Sequence, residues 1–492
     1  MKRTIQTLCL GIVVLVLVLL TNTLVVVRGE PQPQAVDPAP GEVSLDAALG
    51  RLSAAVQIPT ISGDPDRTPD MVRFGEWLPQ AFPLVFTTLS VEQIGNAFLL
   101  TWSGSDPSLH PAVIMAHYDV VPIEAGTESD WIHPPFSGAI ADGAVWGRGT
   151  LDDKGPMLAI LEAVHALIDA RFTPRRTLLL IFGGDEEIGG LGGAVQVASH
   201  LRDQQISPAF VFDEGLFVTE GIVPGPSQPV AIIGTSERGY ASVEVIATSE
   251  GGHSSAPPTQ TSVGKLARAI HRIERRPMRA DLVPPASTLL ETVAPHSPFG
   301  QRVVLSNLWL FKAAVRDQLS RSTGTNAQIR TTFAPTMLSA SPKDNVLAQQ
   351  ARAIINVRIR PGESLDDALD HMRRVVRDSS IEIRPVGDMH SEPAPIAPTE
   401  LDAYRYLASS IKTIFSDTLV SPGLMVGATD SRHFIPLTNH IYRFSPLVVT
   451  KDDVPRFHGT NERITTDNYQ RAIDFYRTLI HESTRITGSD SN

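Results

Sequence analysis

The sequence predicts an α/β protein in which a domain built on a mostly parallel sheet is interrupted by an inserted α+β domain. Three observations predict this fold. The chain has 492 residues, which is too long for one ordinary hydrophobic core. Short β-rich runs alternate with helical patterns over most of its length, as in sheets covered by helices on both faces. Between roughly residues 236 and 395 this alternation changes to three strands joined by two helices, which marks the insertion.

The first 28 residues are predicted to be a membrane anchor or a signal segment. Lys2 and Arg3 precede an apolar run of 20 residues from Leu8 to Val27, a length that matches a bilayer span. The run exceeds the core of a cleavable signal peptide, and no Ala-x-Ala-like site follows it. We therefore expect an uncleaved span with an exported body, or a secreted body if the segment is cleaved. Residues 29–45 are proline-rich and are expected to be a linker that holds the body off the membrane.

The main domain is predicted in two parts, residues 46–235 and 396–485, with the inserted lid domain between them at residues 236–395. The strands predicted for the main domain are Ala112–Ala116, Thr177–Phe182, Ala209–Asp213 and Ile441–Phe444. Its predicted helices are Met157–Ala170, Gly193–Leu201, Leu401–Phe415 and Asn468–Glu482. The lid is predicted to contain strands Ala241–Ala247, Ala327–Phe333 and Ala351–Ile359 and helices Ser262–Glu274 and Ser364–Asp378.

Composition narrows the possible functions. A net charge of -11 argues against nucleic acid as a partner and gives no positive field for anionic membranes. The single cysteine, Cys9, lies in the N-terminal apolar run, so the body has neither disulfides nor cysteine-based zinc sites. Any metal must therefore be held by histidines and carboxylates.

The most informative stretch runs from Met115 to Pro122, where a short apolar strand enters a loop. Side chains at positions i and i+2 share one face of a strand, so His117 and Asp119 point the same way. They lie at the C-terminal end of the strand, where open α/β sheets bind ligands. A histidine that ligates a metal beside an aspartate that orients its ring fits this pattern.

Four further clusters of acidic or histidine residues follow along the chain. Each has an ordinary explanation, such as an N-capping aspartate or a solvated acidic loop. Most of them nevertheless fall at strand ends, and three consecutive acids at 185–187 would repel one another without a cation. Two histidines and three carboxylates serve two zinc ions if one carboxylate bridges, and one acid is left to move protons. The clusters are 147–155, 182–190, 211–215 and 456–462.

In this order the clusters resemble the di-zinc exopeptidase family that contains carboxypeptidase S, aminoacylase-1 and glutamate carboxypeptidase. The resemblance is greatest to the carboxypeptidase S branch and its N-fatty-acyl-amino-acid synthase/hydrolases. It covers about residues 52–480 and includes the runs GSDPSL (104–109), PPFSG (134–138) and GHSSAPP (252–258). It implies two Zn²⁺ ions bridged by Asp152 and a water, with Co²⁺ or Mn²⁺ as alternatives. The implied ligands are His117 and Asp213 for one ion, Glu187 and His458 for the other, and Asp152 for both.

The same resemblance implies roles beyond the metals. Asp119 orients His117, Glu186 is the general base with a raised pKa, and a cis peptide is expected between Asp152 and Asp153. His253 stabilises the oxyanion and is supplied by the partner subunit of a homodimer formed through the inserted domain.

The resemblance also implies substrate-binding residues. Asn345 and Arg358 match polar positions of the lid, although Asn345 is followed by Val-Leu-Ala rather than the usual Val-Ile-Pro. Arg432, in a loop of the main domain, is expected to bind a free carboxylate with its guanidinium. A surface ion pair is the ordinary alternative for Arg432.

These features predict an exported amidohydrolase or carboxypeptidase that cleaves an N-acyl or peptidyl amino acid with a free carboxylate. The acyl side is either a peptide residue or a fatty-acyl chain, and the reverse condensation is chemically allowed. Two alternatives remain open at this point. One is an aminopeptidase or dipeptidase with the same metals, and the other is a metal-stabilised binding protein without catalysis.

Overall fold

The computed structural model describes residues 2–26, 32–387 and 390–485. The α-helices in these ranges are α1 (Lys2–Val26), α2 (Leu45–Val56), α3 (Thr68–Ala81), α4 (Pro83–Thr88), α5 (Lys154–Asp169), α6 (Ala194–Asp203), α7 (Ser262–Arg275), α8 (Ala286–Val293), α9 (Phe299–Leu305), α10 (Leu308–Leu319), α11 (Thr323–Ile329), α12 (Leu365–Val376), α13 (Asp402–Ile414) and α14 (Thr466–Arg485). The strands are β1 (Ser90–Ile94), β2 (Ala97–Trp102), β3 (Ala112–His117), β4 (Ala139–Ala141), β5 (Ala144–Trp146), β6 (Leu178–Gly183), β7 (Phe210–Thr219), β8 (Val230–Glu237), β9 (Gly239–Thr248), β10 (Gly252–His253), β11 (Thr332–Ser339), β12 (Val346–Leu347), β13 (Gln350–Ile359), β14 (Ile381–Pro385), β15 (Leu419–Met425), β16 (Ile441–Val449) and β17 (Arg463–Thr465).

The main domain is built on a sheet with the strand order β1-β2-β6-β3-β7-β16-β8-β15. The central strands β6, β3, β7 and β16 are parallel, and β15 is parallel to β8. The pairs β1-β2, β2-β6 and β16-β8 are antiparallel. A mostly parallel sheet confirms the predicted α/β class.

Helices cover both faces of this sheet because its central strands are apolar on both faces. All six residues of β3 are buried. Ile114 packs into the core formed with α5 and α14, whereas Val113 and Met115 point to the opposite face and pack against α6. Burial of each such side chain contributes about 1.5–3 kcal/mol. The two cores fix the sheet and therefore fix the positions of its strand ends.

The inserted domain is a four-stranded antiparallel sheet in the order β11-β13-β9-β14. Helices α7 and α12 pack on one of its faces. Ser364 starts α12 with a capping box, in which its side chain and that of Asp367 each accept a backbone N–H. The chain passes between the two domains at residues 237–239 and again near residues 391–397, where Ala394 N donates to Glu237 O at 2.9 Å.

One part of the inserted domain differs from the sequence prediction. The strand predicted at Ala327–Phe333 is wrong, because residues Thr323–Ile329 form α11 and the strand begins at Thr332. Ile329 is buried in a small core with Ala280 and Leu282, and this packing holds the segment as a helix. Helices α8 to α10 were likewise not predicted.

The N-terminal segment has two parts with different surroundings. Helix α1 is long and apolar enough to cross a membrane over Arg3–Val25. Only 6% of its most apolar 18-residue stretch is buried against the rest of the protein. The proline-rich stretch lies along the body from its first described residue. Gln32 accepts a hydrogen bond from Val420 N at 2.8 Å, and Val36 N donates to Thr413 Oγ1 at 2.9 Å. The stretch is therefore docked on the main domain rather than standing off it, and residues 29–31 lie outside the described ranges.

Candidate metal centre

The parallel strands β3, β6 and β7 bring their C-terminal ends to one edge of the sheet. His117 is the last residue of β3, and Glu186 and Glu187 open a short 3-10 turn that follows β6. Asp213 and Glu214 come directly after the part of β7 that pairs with β3. Loops from elsewhere in the chain carry Asp152 and His458 to the same edge.

Two triads of metal-binding side chains share one aspartate at this edge. His117 Nε2 lies 3.0 Å from Asp152 Oδ1 and 3.4 Å from Glu214 Oε1. On the other side of the aspartate, His458 Nε2 lies 3.0 Å from Asp152 Oδ2 and 3.2 Å from Glu187 Oε1. Within each triad the donor atoms lie within 4.8 Å of one another. Asp152 therefore presents one oxygen to each triad, as a bridging ligand must.

The structure places Glu214, and not the predicted Asp213, beside His117. Asp213 turns away because its two oxygens accept backbone N–H groups, Oδ2 from Ser431 at 2.8 Å and Oδ1 from Glu214 at 2.9 Å. Consecutive residues of a strand point to opposite faces, so only one of the Asp-Glu pair can face His117. The geometry therefore groups Glu214, rather than the predicted Asp213, with His117 and Asp152. The alternation of side chains along β7 is the sequence signal for this choice. Once one residue of the strand is assigned to a face, the faces of Asp213 and Glu214 follow.

The donor set fits a pair of divalent transition-metal ions. His117 Nδ1 lies 3.0 Å from the carbonyl oxygen of Asp119, which fixes the proton on Nδ1 and leaves the Nε2 lone pair facing Asp152 and Glu214. Glu187 Oε1 is buried and lies 3.2 Å from His458 Nε2. Two electron-pair donors at this distance need a proton or a cation between them. Nitrogen and carboxylate oxygen donors of this kind suit Zn²⁺, Co²⁺ or Mn²⁺.

The charge states of the side chains also indicate a cation site. Burial opposes the charged form of Asp152, yet its contacts with His117 and His458 lower the pKa of its carboxyl. Hydrogen bonds to Asp152 and Glu187 raise the pKa of His458 to about 10. Burial and the charge of Asp152 raise the pKa of Glu214 to about 7. In the metal-free cluster, protons on His458 and Glu214 offset the negative charge of the neighbouring carboxylates. Bound cations would take over this role.

A buried glutamate fixes the loop that carries Asp152. The two oxygens of Glu462 accept hydrogen bonds from Arg148 Nη1 at 2.5 Å and from the backbone N–H groups of Gly149 and Leu151, both at 2.9 Å. Arg148 Nη2 also donates to His458 O at 3.0 Å. The loops of Asp152 and His458 are thus joined by one ion pair. The peptide between Asp152 and Asp153 is cis, as the resemblance implied.

Asp119 connects the end of β3 to the turn that carries the two consecutive glutamates. Its Oδ1 accepts the N–H of Glu186 and its Oδ2 accepts the N–H of Glu187, both at 3.1 Å. Its carboxylate also lies 3.3 Å from His117 Nδ1. Asp119 therefore positions His117 and Glu186 together. Burial raises the pKa of Glu186 well above its ordinary value, and the charge of Glu214 adds to this effect.

The two triads open into a cleft of about 1280 Å³ between the main domain and the lid. Two of the predicted substrate-binding residues line it. Arg358, at the end of β13, stacks over the ring of Tyr240 at 4.8 Å, and its Nη1 is buried without a hydrogen-bond partner. Arg432 lies in the 3-10 turn 430–434 and donates from Nη2 to Gly189 O at 3.3 Å. The remaining wall near Glu186 is largely apolar and includes Ile188, Leu191, Val195, Ile435 and Pro436.

The other two predicted residues lie away from this cleft. His253 lies in β10 and Asn345 immediately precedes β12, the strand that pairs with β10, and both residues are exposed. Ser254 N donates to Asn345 O at 3.1 Å, and Ser255 N donates to His253 Nδ1 at 3.1 Å. Neither side chain lines the cleft of its own chain.

The fold and the site define a metal-dependent hydrolase of the metallopeptidase and amidohydrolase class. The model of peptidase family M20/M25/M40 matches residues 113–482, and the chain belongs to this family. It is 38% identical over 483 residues to the N-fatty-acyl-amino acid synthase/hydrolase PM20D1 of Xenopus tropicalis, covering 96% of this chain and 93% of that protein. The probable carboxypeptidase S-like 2 of Dictyostelium discoideum is 37% identical, with 87% of this chain and 84% of that protein covered.

Carboxypeptidase S of Saccharomyces cerevisiae is a more distant relative, 29% identical with 87% of this chain and 83% of that protein covered. These relatives confirm the predicted carboxypeptidase S branch. Among solved structures, human carnosine dipeptidase 1 superposes with a TM-score of 0.64 at 16% identity, over 89% of this chain and 96% of the other. The M20 family metallo-carboxypeptidase Sso-CP2 of Sulfolobus solfataricus also gives 0.64 at 16% identity, over 88% and 98%. Both likenesses concern the fold.

Proposed function

We propose that the protein is a di-zinc amidohydrolase that cleaves, and in the reverse direction condenses, the amide bond of N-acyl amino acids with a free carboxylate. The observation that carries this proposal is the pair of arginines, Arg358 and Arg432, on the wall of the same cleft that holds the two triads. The names of the relatives agree with it, since one group is described as N-fatty-acyl-amino acid synthase/hydrolases.

The ligands of the two ions in this proposal are the members of the two triads. His117 and Glu214 hold one ion, Glu187 and His458 hold the other, and Asp152 bridges them. When bound, such a pair polarises the amide carbonyl and makes water acidic enough to attack it near neutral pH.

Glu186 is the proposed general base and then general acid. It lines the cleft beside the triads but belongs to neither of them, so its carboxylate is free to accept a proton. Its raised pKa suits this role, because a base works best when its pKa is close to the operating pH. Glu186 takes a proton from the attacking water and delivers it to the amine that leaves. Asp119 holds the turn that carries Glu186, so the base is fixed relative to His117.

The arginines select a free carboxylate on the amine side of the substrate. Arg358 is the stronger candidate for direct contact, because its buried Nη1 has no hydrogen-bond partner among the described residues. A buried cationic donor without a partner costs free energy that a bound carboxylate recovers. Arg432 borders the turn of Glu186 through Gly189, and this places a second guanidinium on the same wall.

The acyl side fits the apolar part of the cleft. Ile188 and Leu191 are 51% and 53% exposed, although they stand next to the catalytic turn. Exposed apolar side chains that line a cleft are what an acyl chain covers. A dipeptidase or aminopeptidase would instead need a free acid for the substrate amine. Glu392 lines the cleft, but its carboxylate accepts the N–H of Leu365 at 3.2 Å.

We further propose that two copies form a homodimer through the inserted domain. Strand β11 is at the free edge of the lid sheet and exposes Met337 and Leu338 by 65% and 69%. Such an edge is a template for pairing with a second copy. His253 and Asn345, which lie outside their own cleft, would then be supplied to the cleft of the other subunit, where His253 stabilises the oxyanion.

The N-terminal helix completes the proposal. We take α1 as a single membrane span with Lys2 and Arg3 on the inner side, so that the catalytic body is exported. If α1 is cleaved, the body is secreted.

The test compares N-fatty-acyl amino acids with their carboxamides on zinc-loaded protein. We expect the enzyme to hydrolyse the free acids and to hydrolyse the carboxamides far more slowly. Liquid chromatography of the products measures both rates. Glu186→Gln is the matched control, since it keeps the size of the side chain and removes the base, and we expect a loss of about 10²–10⁴-fold in kcat with an unchanged zinc content. Equal turnover of acids and carboxamides would refute the role of the arginines, and cleavage restricted to peptides with a free amine would favour an aminopeptidase. Absence of all hydrolysis with zinc bound would favour a binding protein.

The dimer is tested by mixing two inactive variants, His253→Ala and Glu186→Gln. If His253 acts in the other subunit, mixed dimers contain one complete site and recover activity. If it acts in its own subunit, mixing restores nothing.

A further inference from the structure

Helices α9 and α10 of the inserted domain carry apolar side chains that the described residues cover only in part. Helices α9 and α10 contain no buried residue. Of the 13 residues from Phe299 to Phe311, eight are apolar and only Arg302 is charged. Phe299, Trp309 and Leu310 are 60%, 61% and 44% exposed. Contiguous apolar surface of this kind marks an interaction site.

Helix α1 contacts this same region. Asn22 donates from Nδ2 to Asn307 Oδ1 at 3.0 Å, and Asn307 donates from Nδ2 to Leu19 O at 3.2 Å. Asn307 is fully buried and Thr23 is 1% exposed. The polar interruption of the apolar run, Thr21-Asn22-Thr23, therefore packs against the link between α9 and α10.

The position of this contact along α1 corresponds to the far boundary of a bilayer. From Arg3 to Asn22 the helix rises about 28 Å, at about 1.5 Å for each residue. The hydrocarbon core of a bilayer is about 30 Å thick. With Arg3 at the inner boundary, Asn22 and Asn307 lie at the outer boundary. Trp309 Nε1 donates to Asn307 Oδ1 at 3.3 Å, so its indole lies at the level where tryptophans are enriched in membrane proteins.

The covalent chain also keeps the body close to the membrane. Val26 ends α1, and Gln32 is hydrogen-bonded to Val420 N on the main domain. Six residue steps span at most about 21 Å. The body cannot stand further from the outer end of α1 than this distance.

We propose that α9 and α10 form a bilayer-contacting surface that lies in the outer headgroup layer beside α1. This inference depends on the proposed membrane span of α1. The contact is apolar rather than electrostatic, because the cations of α10 are paired, Lys312 with Asp281 at 2.7 Å and Arg316 with Asp317 at 3.2 Å. The occupant of the surface is therefore a zwitterionic lipid surface, and the binding needs no anionic lipid.

Tryptophan fluorescence of the full chain in phosphatidylcholine vesicles tests this proposal. The chain has five tryptophans, and Trp309 is the only exposed one among the described residues. We expect lipid brominated near the headgroup end of its acyl chains to quench part of the emission, and Trp309→Phe to remove that part. As a second probe, Leu310→Cys carries a nitroxide in a Cys9→Ser background, and we expect it to be accessible to oxygen rather than to a water-soluble nickel complex. Lys343→Cys on the lid is the matched exposed control and is expected to show the reverse.

The outcomes separate this inference from the proposed span. Vesicle-bound protein that resists alkaline extraction and shows both signals supports it. Protein that resists extraction but shows neither signal overturns it and leaves the span intact. Protein released by alkaline extraction overturns the span and this inference together. Protection of both probes without contact with lipid, together with a dimer that Trp309→Phe weakens, would assign the surface to a second copy and overturn the inference.

Discussion

Replacing Glu214 by Gln should change stability in opposite directions with and without zinc. In the metal-free protein burial raises the pKa of Glu214 from its ordinary 4.5 to about 7, which corresponds to about 3 kcal/mol of unfavourable free energy for the ionised folded form. Below pH 4.5 the carboxyl is protonated in both the folded and the unfolded chain, so the substitution has little effect there. The cost of the ionised carboxylate develops as pH rises from 4.5 through about 7 and is complete above it. At pH 8 the metal-free Gln variant should therefore unfold several degrees higher than the wild type.

Zinc should reverse this order. At a free zinc concentration 100 times its Kd, binding raises the free energy of unfolding of the wild type by about 2.7 kcal/mol for each site. Loss of one ligand removes most of that gain at one site. Asp213→Asn is the matched control next in the chain, because Asp213 bonds Ser431 N and Glu214 N instead of facing His117. The Asp213→Asn variant should keep most of the zinc-dependent gain in stability. Its free energy of unfolding should be about 1–2 kcal/mol lower than that of the wild type, both with and without metal. The measurement is a set of calorimetric unfolding curves with chelator and with zinc. If Asp213→Asn abolishes the zinc gain while Glu214→Gln keeps it, the assignment of the ligand is refuted.

Three further predictions concern other parts of the site. Glu462→Gln leaves Arg148 buried without its carboxylate and should destabilise the protein by about 3–5 kcal/mol, whereas pairing it with Arg148→Met should recover much of this loss in a double-mutant cycle followed by denaturant unfolding. Arg358→Ala should raise KM for N-acyl amino acids with little change in kcat, and it should leave the slow turnover of the carboxamides unchanged; an equal effect on both substrates would place Arg358 outside the carboxylate site. Asp119→Asn keeps the two N–H contacts only in part, so we expect a lower kcat and weaker zinc binding together. Kinetics and titration calorimetry measure the two effects. A change in kcat alone would show that Asp119 supports Glu186 without supporting His117.

Much of the site was predictable because parallel strands align their ends. His117 and the Glu186–Glu187 pair follow apolar runs that could form only buried strands, so their meeting at one edge follows from the sheet class. The choice between Asp213 and Glu214 was not predictable from motif order alone. It depends on which side of β7 faces β3, and a shift of one residue reverses that choice.

The inserted domain was predicted less well for a different reason. Helices α9 and α10 have apolar residues on more than one side, some half-buried against the body and others exposed, so they lack the single apolar stripe by which an amphipathic helix is recognised. The placement of His253 and Asn345 outside the cleft depends on tertiary structure, which no local pattern encodes.

The bond between Glu462 and the loop of Asp152 has a consequence for the biosynthesis of the enzyme. Residues that lie 310 or more positions apart must meet before that loop is held in place. On the proposed export route, the polypeptide crosses the membrane from its N-terminal side, so His117 and Asp152 reach the far side long before His458 does. The loop of Asp152 is then not yet held by Glu462, and the second triad is incomplete. It follows from the proposed export that the metal ions bind only at the end of translocation and come from the outer compartment rather than from the cytosol.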